Sequence, residues 1–492
     1  MIEREVKLSA GDAFQLPDFS GLDSVVATPR TEQHLSTLYF DSDDLRLARW
    51  GLSLRYRAGE GWTLKLPQAA GGPALVREEL VFEGDPERPP AEAVDLVAGY
   101  LRGTELAPQV RLETLRRGVL LHTAQGTLVE DIVDDAVAVH DDQQVIDRFR
   151  ELEVETVNGG PRRLLKDVVK RLRQAGAGPP DPTPKYARAI RGRDSSPEIA
   201  RDEIARSASV GDVVTRAIGD GVVRLLRHDP VVRLDVDIEG VHQARVATRR
   251  LRSDLRTFRA FLSREWVLET RSELGWLGGE LGAARDADVL RERLTARAHE
   301  LPEASANGIE AMTAALDQQR RQAHARVLMA LRSARYVELV DRLIATAHAP
   351  QLISGMADRS ARKALPAVVR KPWHRLEHKV QSLPASPAAE DLHIVRILAK
   401  RCRYAAEACA LPLGRQTYEF GAAARQLQDV LGELNDAVVA ERWLRDWALG
   451  TTSPETAFAA GQLAGLERAA AMRAISRWPK AWKHVAAAAP SG

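Results

Sequence analysis

A single change of hydrophobic period divides this chain of 492 residues. Up to about residue 157, apolar and polar residues alternate in eight short stretches: IEREVKL, STLYFD, LSLRYR, WTLKLP, VREELVFEG, VRLETLRRGVLL, TLVEDIVDDAVAV and FRELEVETV. Alternation at period two marks strands with one buried face, and the turn residues between them make the sheet antiparallel. Helical pattern interrupts the alternation around Ala91 to Leu101 and around Pro161 to Ala175. Then comes AGAGPPDPTPKYARAIRGRDSSPE, whose prolines end any regular element. From about Glu198 onward the segments are rich in Ala, Leu, Arg and Glu at helical period, and strand signals stop. One core rarely serves so long a chain. The expected fold class is therefore α+β multidomain: a sheet domain with helices over 1–192, a linker over 193–205 and an all-α domain over 206–488.

Apolar content of 45% and charged content of 28% are those of a globular chain. With 70 basic and 68 acidic residues the net charge is only +2, so no general affinity for polyanions follows from composition. Any anion site must come from clustering. Cys402 and Cys409 lie seven apart in helical pattern, roughly 10 Å along an axis rising about 1.5 Å per residue, too far to pair. Few cysteines, no apolar leader and no long apolar run predict a cytoplasmic protein without a membrane span.

The helical half repeats itself. VHQARVATRRLRS at 241–253 aligns with LHIVRILAKRCRY at 392–404, pairing His242 with His393, Arg245 with Arg396, Arg249 with Lys400, Arg250 with Arg401 and Arg252 with Arg403. LGAARDADV at 281–289 matches LGELNDAVV at 431–439, with Asp286 against Asp436. Two related bundles, about 206–350 and 356–488, are expected. His242, Arg245, Arg249, Arg252 and Arg256 fall along one helix face, as do His393, Arg396, Lys400 and Arg403. Like charges so spaced repel, and between His242 and Ala260 six arginines meet one acid, Asp254. A solvated face is the ordinary reading of an arginine-rich helix, but the duplication and the missing carboxylates favour a bound anion. Nearby aromatics are few, Phe258, Phe261 and Tyr404, which favours a phosphate chain without bases over nucleic acid.

On these residues the segment from about 206 to 485 resembles the CHAD domain, a helical family of two bundles around repeated histidines and basic residues. The resemblance implies polyphosphate binding by His242, Arg245, Arg249, Arg250, Arg252, Arg256, His393, Arg396, Lys400, Arg401 and Arg403. The second copy departs from the first at Glu407, which stands where Arg256 stands, and that end of the groove is expected to be less basic.

In the sheet half, charges recur at period two. Glu3, Glu5 and Lys7 share one face of the first strand and Glu151, Glu153 and Glu155 one face of the last, with Arg55, Arg57, Lys65, Arg111 and Glu113 between. One such triplet is usually a solvated face. Charges in nearly every strand instead suit a sheet rolled into a tunnel with a polar interior. Its carboxylates would take a hard divalent cation, Mg²⁺ or Mn²⁺, and its cations phosphate oxygens. No Gly-rich phosphate loop is present, which argues against a P-loop nucleotidase.

The opening Glu-x-Glu-x-Lys resembles the CYTH family, the triphosphate tunnel metalloenzymes. Tyr39-Phe40-Asp41, Arg55-x-Arg57, Phe149-x-Glu151-x-Glu153 and Lys185-Tyr186-Ala187-Arg188 support the match over about residues 1–190. The resemblance implies an eight-stranded antiparallel tunnel. It implies Glu3, Glu5, Lys7 and Glu153 as catalytic residues and Glu3, Glu5, Glu151 and Glu153 for metal, with Asp135 a further ligand whose place Asp131 or Asp134 could take. Lys7, Arg55, Arg57, Lys65, Arg111 and Lys185 would bind triphosphate, and Glu79 and Glu113 would face inward. The expected activity is that of an inorganic triphosphatase, a phosphoanhydride hydrolase acting on triphosphate or short polyphosphate, with association with polyphosphate granules through the helical domain. The rivals are a non-catalytic polyphosphate scaffold, an adenylyl cyclase, for which no adenine-reading residues stand out, and a nucleic-acid binder.

Overall fold

A computed structural model describes residues 4–22, 25–67, 77–141, 144–201, 203–301 and 306–490. It separates into two compact units, Met1–Glu198 and Ile199–Gly492.

The first unit is built on one antiparallel sheet. Its strands are β1 (Arg4–Ala10), β2 (Val25–Pro29), β3 (Gln33–Asp41), β4 (Ser53–Arg57), β5 (Gly61–Pro67), β6 (Arg77–Phe82), β7 (Ala107–Thr123), β8 (Leu128–Asp141) and β9 (Gln144–Thr156). They run in the order β1-β9-β8-β7-β3-β4-β5-β6, with β2 also on β7. Among the described residues the expected eight strands are nine, because β3 pairs with Ala107–Arg116 of β7 and β2 with Val119–Thr123. Two strands thus share one position, and the sheet is eight positions wide.

Among the described residues four helices accompany it: α1 (Arg46–Arg49), α2 (Ala91–Leu101), α3 (Arg162–Gln174) and α4 (Lys185–Ala189). Leu164, Val168 and Leu172 recur at four-residue spacing on α3 and pack on Leu8, Ile132, Leu152 and Val154, the apolar face of β1, β8 and β9. The opposite face of those strands carries the charges. Nearer the other end of that face, Tyr39, Val110, Leu112, Val137 and Val139 make a second core with Tyr186, Ala189 and Ile190 around α4.

The second unit is helical: α5 (Val210–Leu234), α6 (Ile238–Thr257), α7 (Arg264–Ala298), α8 (Ala306–Leu331), α9 (Ala334–His348), α10 (Ala361–Ala364), α11 (Pro366–Gln381), α12 (Ala389–Leu413), α13 (Arg415–Gly450) and α14 (Pro454–Ala487). Ser209 and Asp212 close a reciprocal capping box at the start of α5, and Asp237 caps α6 through the Glu239 N–H. Leu290, Leu294, Met312 and Leu316 of α7 and α8 share a core with Ala440, Leu444, Ala460 and Leu463 of α13 and α14. Cys402 and Cys409 are buried and unpaired. Among the described residues no helix is long and apolar enough to cross a membrane.

Gly118 marks the gap between β2 and β3 along β7. Its carbonyl accepts from the Arg30 N–H at 2.9 Å, and a Cβ built there would lie 2.2 Å from the Ile132 carbonyl oxygen of β8. Gly118→Ala is expected to cost about 1–3 kcal/mol by forcing the two strands apart. A lowered denaturant midpoint for the sheet unit checks this; an unchanged one refutes it.

Candidate functional site

Strand register decides which charges meet. Lys7 stands opposite Glu153, Glu151 opposite Asp135, and Asp135 opposite Arg116. These side chains share the face turned away from α3. Across the sheet, Arg55 and Arg57 of β4, Lys65 of β5 and Glu79 of β6 share a face with Thr37 and Tyr39 of β3. A flat sheet of eight positions at about 4.8 Å per strand would hold β1 and β6 roughly 34 Å apart. Glu79 nevertheless feels the charge of Lys7, in addition to those of Lys65 and Arg55. The sheet is therefore rolled, with an acidic wall of β1, β9 and β8 facing a basic wall of β4 and β5.

On the acidic wall the Lys185 Nζ lies 2.7 Å from Glu153, 3.0 Å from Asp135 and 3.0 Å from Glu151. Lys7 pairs with Glu153, lies 3.0 Å from Glu5 and 3.6 Å from Glu151. Arg116 forks onto Asp135 at 2.7 and 2.8 Å. Lys185 owes its place to Tyr186, whose ring stacks on Tyr39 at 4.7 Å and whose hydroxyl donates to Asp41 at 3.0 Å. Asp41 in turn accepts from the N–H groups of Leu47 and Ala48 and so ties α1 to β3.

Burial alone would lower both lysines, but Glu153 and its neighbours hold them raised. Burial likewise works to raise Glu153, and Lys185 and Lys7 outweigh it, keeping that carboxylate well below its ordinary value. Glu151 is raised, chiefly by burial. On the basic wall Arg57 donates to Thr37 at 2.9 Å and to Glu60, while the buried Nε of Arg55 has no hydrogen-bond partner among the described residues.

The helical unit holds a pocket of about 480 Å³ between α6, α7, α12 and α13, lined by His242, Arg245, Arg249, Arg285, His393, Arg396 and Lys400 among others. The Nε atoms of Arg249 and Arg396 are buried without a partner. The repeat has a physical basis. Arg245 lies over Gly282 and Arg396 over Gly432, so a Cβ on either glycine would come within 3.5 or 3.8 Å of the guanidinium. Asp286 meets Arg245 at 3.0 Å, and Asp436 is the corresponding acid for Arg396. Burial, then Arg396, Arg249 and Arg245, push Lys400 down to about 7.

Family models match a CYTH domain over residues 1–186 and a CHAD domain over residues 216–445. An uncharacterized protein of Mycobacterium tuberculosis strain H37Rv is 31% identical over 495 residues, 94% of this chain and 92% of that protein. The chain is a CYTH–CHAD protein. It is also similar to PptA from Streptomyces chartreusis, 25% identical over 56% of this chain and 100% of that one, with a TM-score of 0.47. The CHAD domain from the plant Ricinus communis is 27% identical over 57% of this chain and 94% of its own, TM-score 0.47. CYTH domains suggest a tunnel family acting on phosphoanhydrides, typically with a divalent metal, in which some members are adenylyl cyclases or non-catalytic. CHAD and CYTH domains are associated with polyphosphate and triphosphate binding.

Within the CYTH unit, Glu5, Lys7, Asp135, Glu151, Glu153 and Lys185 come together, and Arg55, Arg57, Lys65 and Glu79 face them; Glu3 lies outside the described residues. Arg111 and Glu113 require correction. They stand on the outer face, Arg111 exposed and Glu113 accepting from Ser36 at 2.6 Å, because their neighbours Val110, Leu112 and Thr114 face inward. Arg116 holds the inward position nearest Asp135. Asp134 also faces outward, onto Arg150, while Asp131 pairs with Arg30. In the CHAD unit, Arg250 and Arg403 are bound to Glu407 and do not line the pocket; Arg252, Arg256 and Arg401 lie apart from it as well. Arg285 and Arg293 line it without having been anticipated, although Arg285 sits inside the repeated LGAARDADV segment.

No three Asp, Glu, His or Cys side chains among the described residues form a ready metal cage. The donor set still fits a hard cation. Glu5, Asp135, Glu151 and Glu153 offer carboxylate oxygens on one wall, the buried Glu151 meeting among the described residues only ion-pair contacts with Lys185 at 3.0 Å, Arg188 at 3.5 Å and Lys7 at 3.6 Å, and Mg²⁺ usually takes one or two carboxylates together with substrate phosphates. Removing Lys185 should expose what it balances. Lys185→Met is expected to cost about 3–5 kcal/mol at neutral pH by leaving Asp135, Glu151 and Glu153 without their shared cation. Glu153 and Asp135 are held low in the native chain, so their stabilisation is complete above their unfolded values of 4.5 and 3.8 and fades as pH falls through the native ones. The variant should reverse this trend, gaining stability in acid, and should recover part of the loss with Mg²⁺ or Mn²⁺. Thermal unfolding across pH, with and without metal, checks all three.

Proposed function

We propose that the CYTH unit hydrolyses inorganic triphosphate or short polyphosphates and that the CHAD unit binds polyphosphate. The observation that carries the first part is the division of one rolled sheet face into an acidic and a basic wall. Arg55, Arg57 and Lys65 suit the non-bridging oxygens of a phosphate chain, and the unpartnered Nε of Arg55 is a donor in want of such an acceptor. Glu5, Glu151, Glu153 and Asp135, with Glu3, would hold Mg²⁺ or Mn²⁺, which when bound neutralises phosphate charge and activates water. Lys7 and Lys185 keep the acidic wall close to neutral, so a polyanion is not repelled from it. Water attack on a terminal phosphorus then expels pyrophosphate, with charge stabilised by cations already in place.

One observation favours a second reading. The ammonium groups of Lys7 and Lys185 already neutralise the carboxylates that a metal ion would have to reach, which suits a protein that binds a phosphate chain without cleaving it. Phosphate release from triphosphate, ATP and long polyphosphate, with and without Mg²⁺ or Mn²⁺, separates the two. Metal-dependent turnover of triphosphate is expected, with at least a hundredfold loss in Glu5→Ala and Glu153→Gln. No turnover with polyphosphate binding intact would leave a scaffold.

The second part rests on the pocket shared by the two repeats. His242, Arg245, Arg249, His393, Arg396 and Lys400 converge there with Arg285, and only Asp286 and Asp436 are acidic in its lining. With Lys400 near 7, a bound phosphate chain would draw a proton onto it. At about pH 8, binding should take up roughly one proton per site, and affinity should weaken as pH rises through this range. Calorimetric titration in buffers of different ionisation enthalpy would show it, and Lys400→Arg should flatten the profile. Identical heats in all buffers would refute proton uptake.

A further inference from the structure

Charge is spread unevenly along the helical unit. Over 361–381 and 468–492, lysines and arginines number eleven and acids one, Glu377, so the remainder of a chain whose net charge is +2 is net acidic. These stretches are α10, α11 and the second half of α14, and none of their residues lines the pocket. Trp373 of α11 stacks on Trp482 of α14 at 5.5 Å and meets Phe420 of α13 edge-on at 5.8 Å, which holds the two basic helices side by side. In the second half of α14 the core takes Ala470, Ala474, Ala481 and Val485. Outward, at i, i+3 and i+7, stand Met472, 60% exposed, Ile475, 37% exposed, and the exposed Pro479. By helical spacing Arg473, Arg477 and Lys480 run along one side of this row and the half-buried Trp478 and Trp482 along the other, with Lys483 at its end. The four cations are exposed, and no hydrogen bond or salt bridge joins their side chains to an acid among the described residues. Glu433, which Arg293 binds, feels Arg477 from farther off.

We propose that this outward face of α14 docks on an anionic lipid surface. The inference is independent of what the pocket and the CYTH unit bind. Anionic headgroups supply the counter-charge that Arg473, Arg477, Lys480 and Lys483 lack, and the row from Met472 to Pro479 reaches the boundary between headgroups and acyl chains. Tryptophan rings favour that same level. The neighbouring α11 adds its exposed Lys371 and Arg375 to the local positive charge. Other polyanions would meet the cations but leave the apolar row without a partner. A phosphate chain has no apolar surface to set against Met472 and Ile475, and a nucleic acid would need free rings, whereas Trp482 already gives one ring face to Trp373. Because Ala474, Ala481 and Val485 keep the opposite face of α14 in the core, the helix rests on the surface without leaving its bundle. Attachment of this kind is reversible and weakens as salt rises.

The test is flotation of the full chain with phosphatidylcholine vesicles, plain or carrying roughly one-third phosphatidylglycerol, at two salt concentrations. Binding to the anionic vesicles alone, weakening with salt, is expected. Lys480→Glu/Lys483→Glu should lower it about tenfold or more, and Met472→Ser/Ile475→Ser about fivefold or more, at unchanged melting temperature. Should either variant unfold, the comparison of plain with anionic vesicles on the parent chain still decides. Equal binding to both kinds of vesicle, or to neither, would overturn the proposal. So would a loss confined to the charge-reversed pair, which would leave an attraction of counter-ions with no use for the apolar row. Duplex DNA and long polyphosphate, titrated without vesicles, should bind both variants within about twofold of the parent. A tenfold or greater loss of either in Lys480→Glu/Lys483→Glu would reassign the face to that polyanion and overturn the choice of lipid.

Discussion

The Lys185 ammonium, buried against Asp135, Glu151 and Glu153, is the interaction on which the CYTH unit depends. Three carboxylates on neighbouring strands would otherwise be forced apart or forced to take up protons, since burial disfavours each charge. That ammonium is delivered by a short helix held in place by aromatic stacking and by the hydroxyl of Tyr186 on Asp41. The residues Tyr39, Asp41 and Tyr186 act here through position. They fix the position of a cation that lets one sheet face concentrate acid at one wall and base at the other.

The CHAD pocket meets the opposite condition. Its cations have few counter-ions, and the glycines at 282 and 432 allow two arginines to lie flat against neighbouring helices. The cost of the arrangement appears in Lys400, which is close to giving up its proton, and in unpartnered Nε atoms. In the CYTH unit, charge is balanced internally. In the CHAD pocket, only Asp286 and Asp436 among the lining residues supply such balance.

Much of this was legible in the sequence, and the failures have physical causes. Period-two alternation located eight strands; β2 escaped because VVATP is short, lacks alternation and ends in proline. The same alternation says that Arg111 and Glu113 share a face but not which face. The inner face turns from charged to apolar where α4 covers it, so at that level Val110 and Leu112 point inward and the charges outward. Arg116 could be found only through its partner, since the alternation breaks at Leu115-Arg116-Arg117 and the register opposite Asp135 decides it. Helical spacing put His242, Arg245 and Arg249 on one face of α6 and His393, Arg396 and Lys400 on one face of α12, but it could not show that the pocket stops short of Arg252, Arg256 and Arg403, nor that Glu407, from the other repeat, neutralises Arg250.

The different charge balance of the two units sets what each can do with the same ligand. On the CYTH face a phosphate chain must compete with ion pairs already made, so Arg55, Arg57 and Lys65 attract it while the acidic wall admits it only as far as its carboxylates find another cation. That condition favours an anion arriving together with a metal, and it makes binding selective rather than strong. The CHAD pocket imposes this condition less, because apart from contacts such as Arg245 with Asp286 and His393 with Asn435 its cations meet one another, and an anion there would relieve repulsion. Under the proposed function, retention of polymer and turnover of its ends would call for opposite electrostatic designs, and the two units differ in that way.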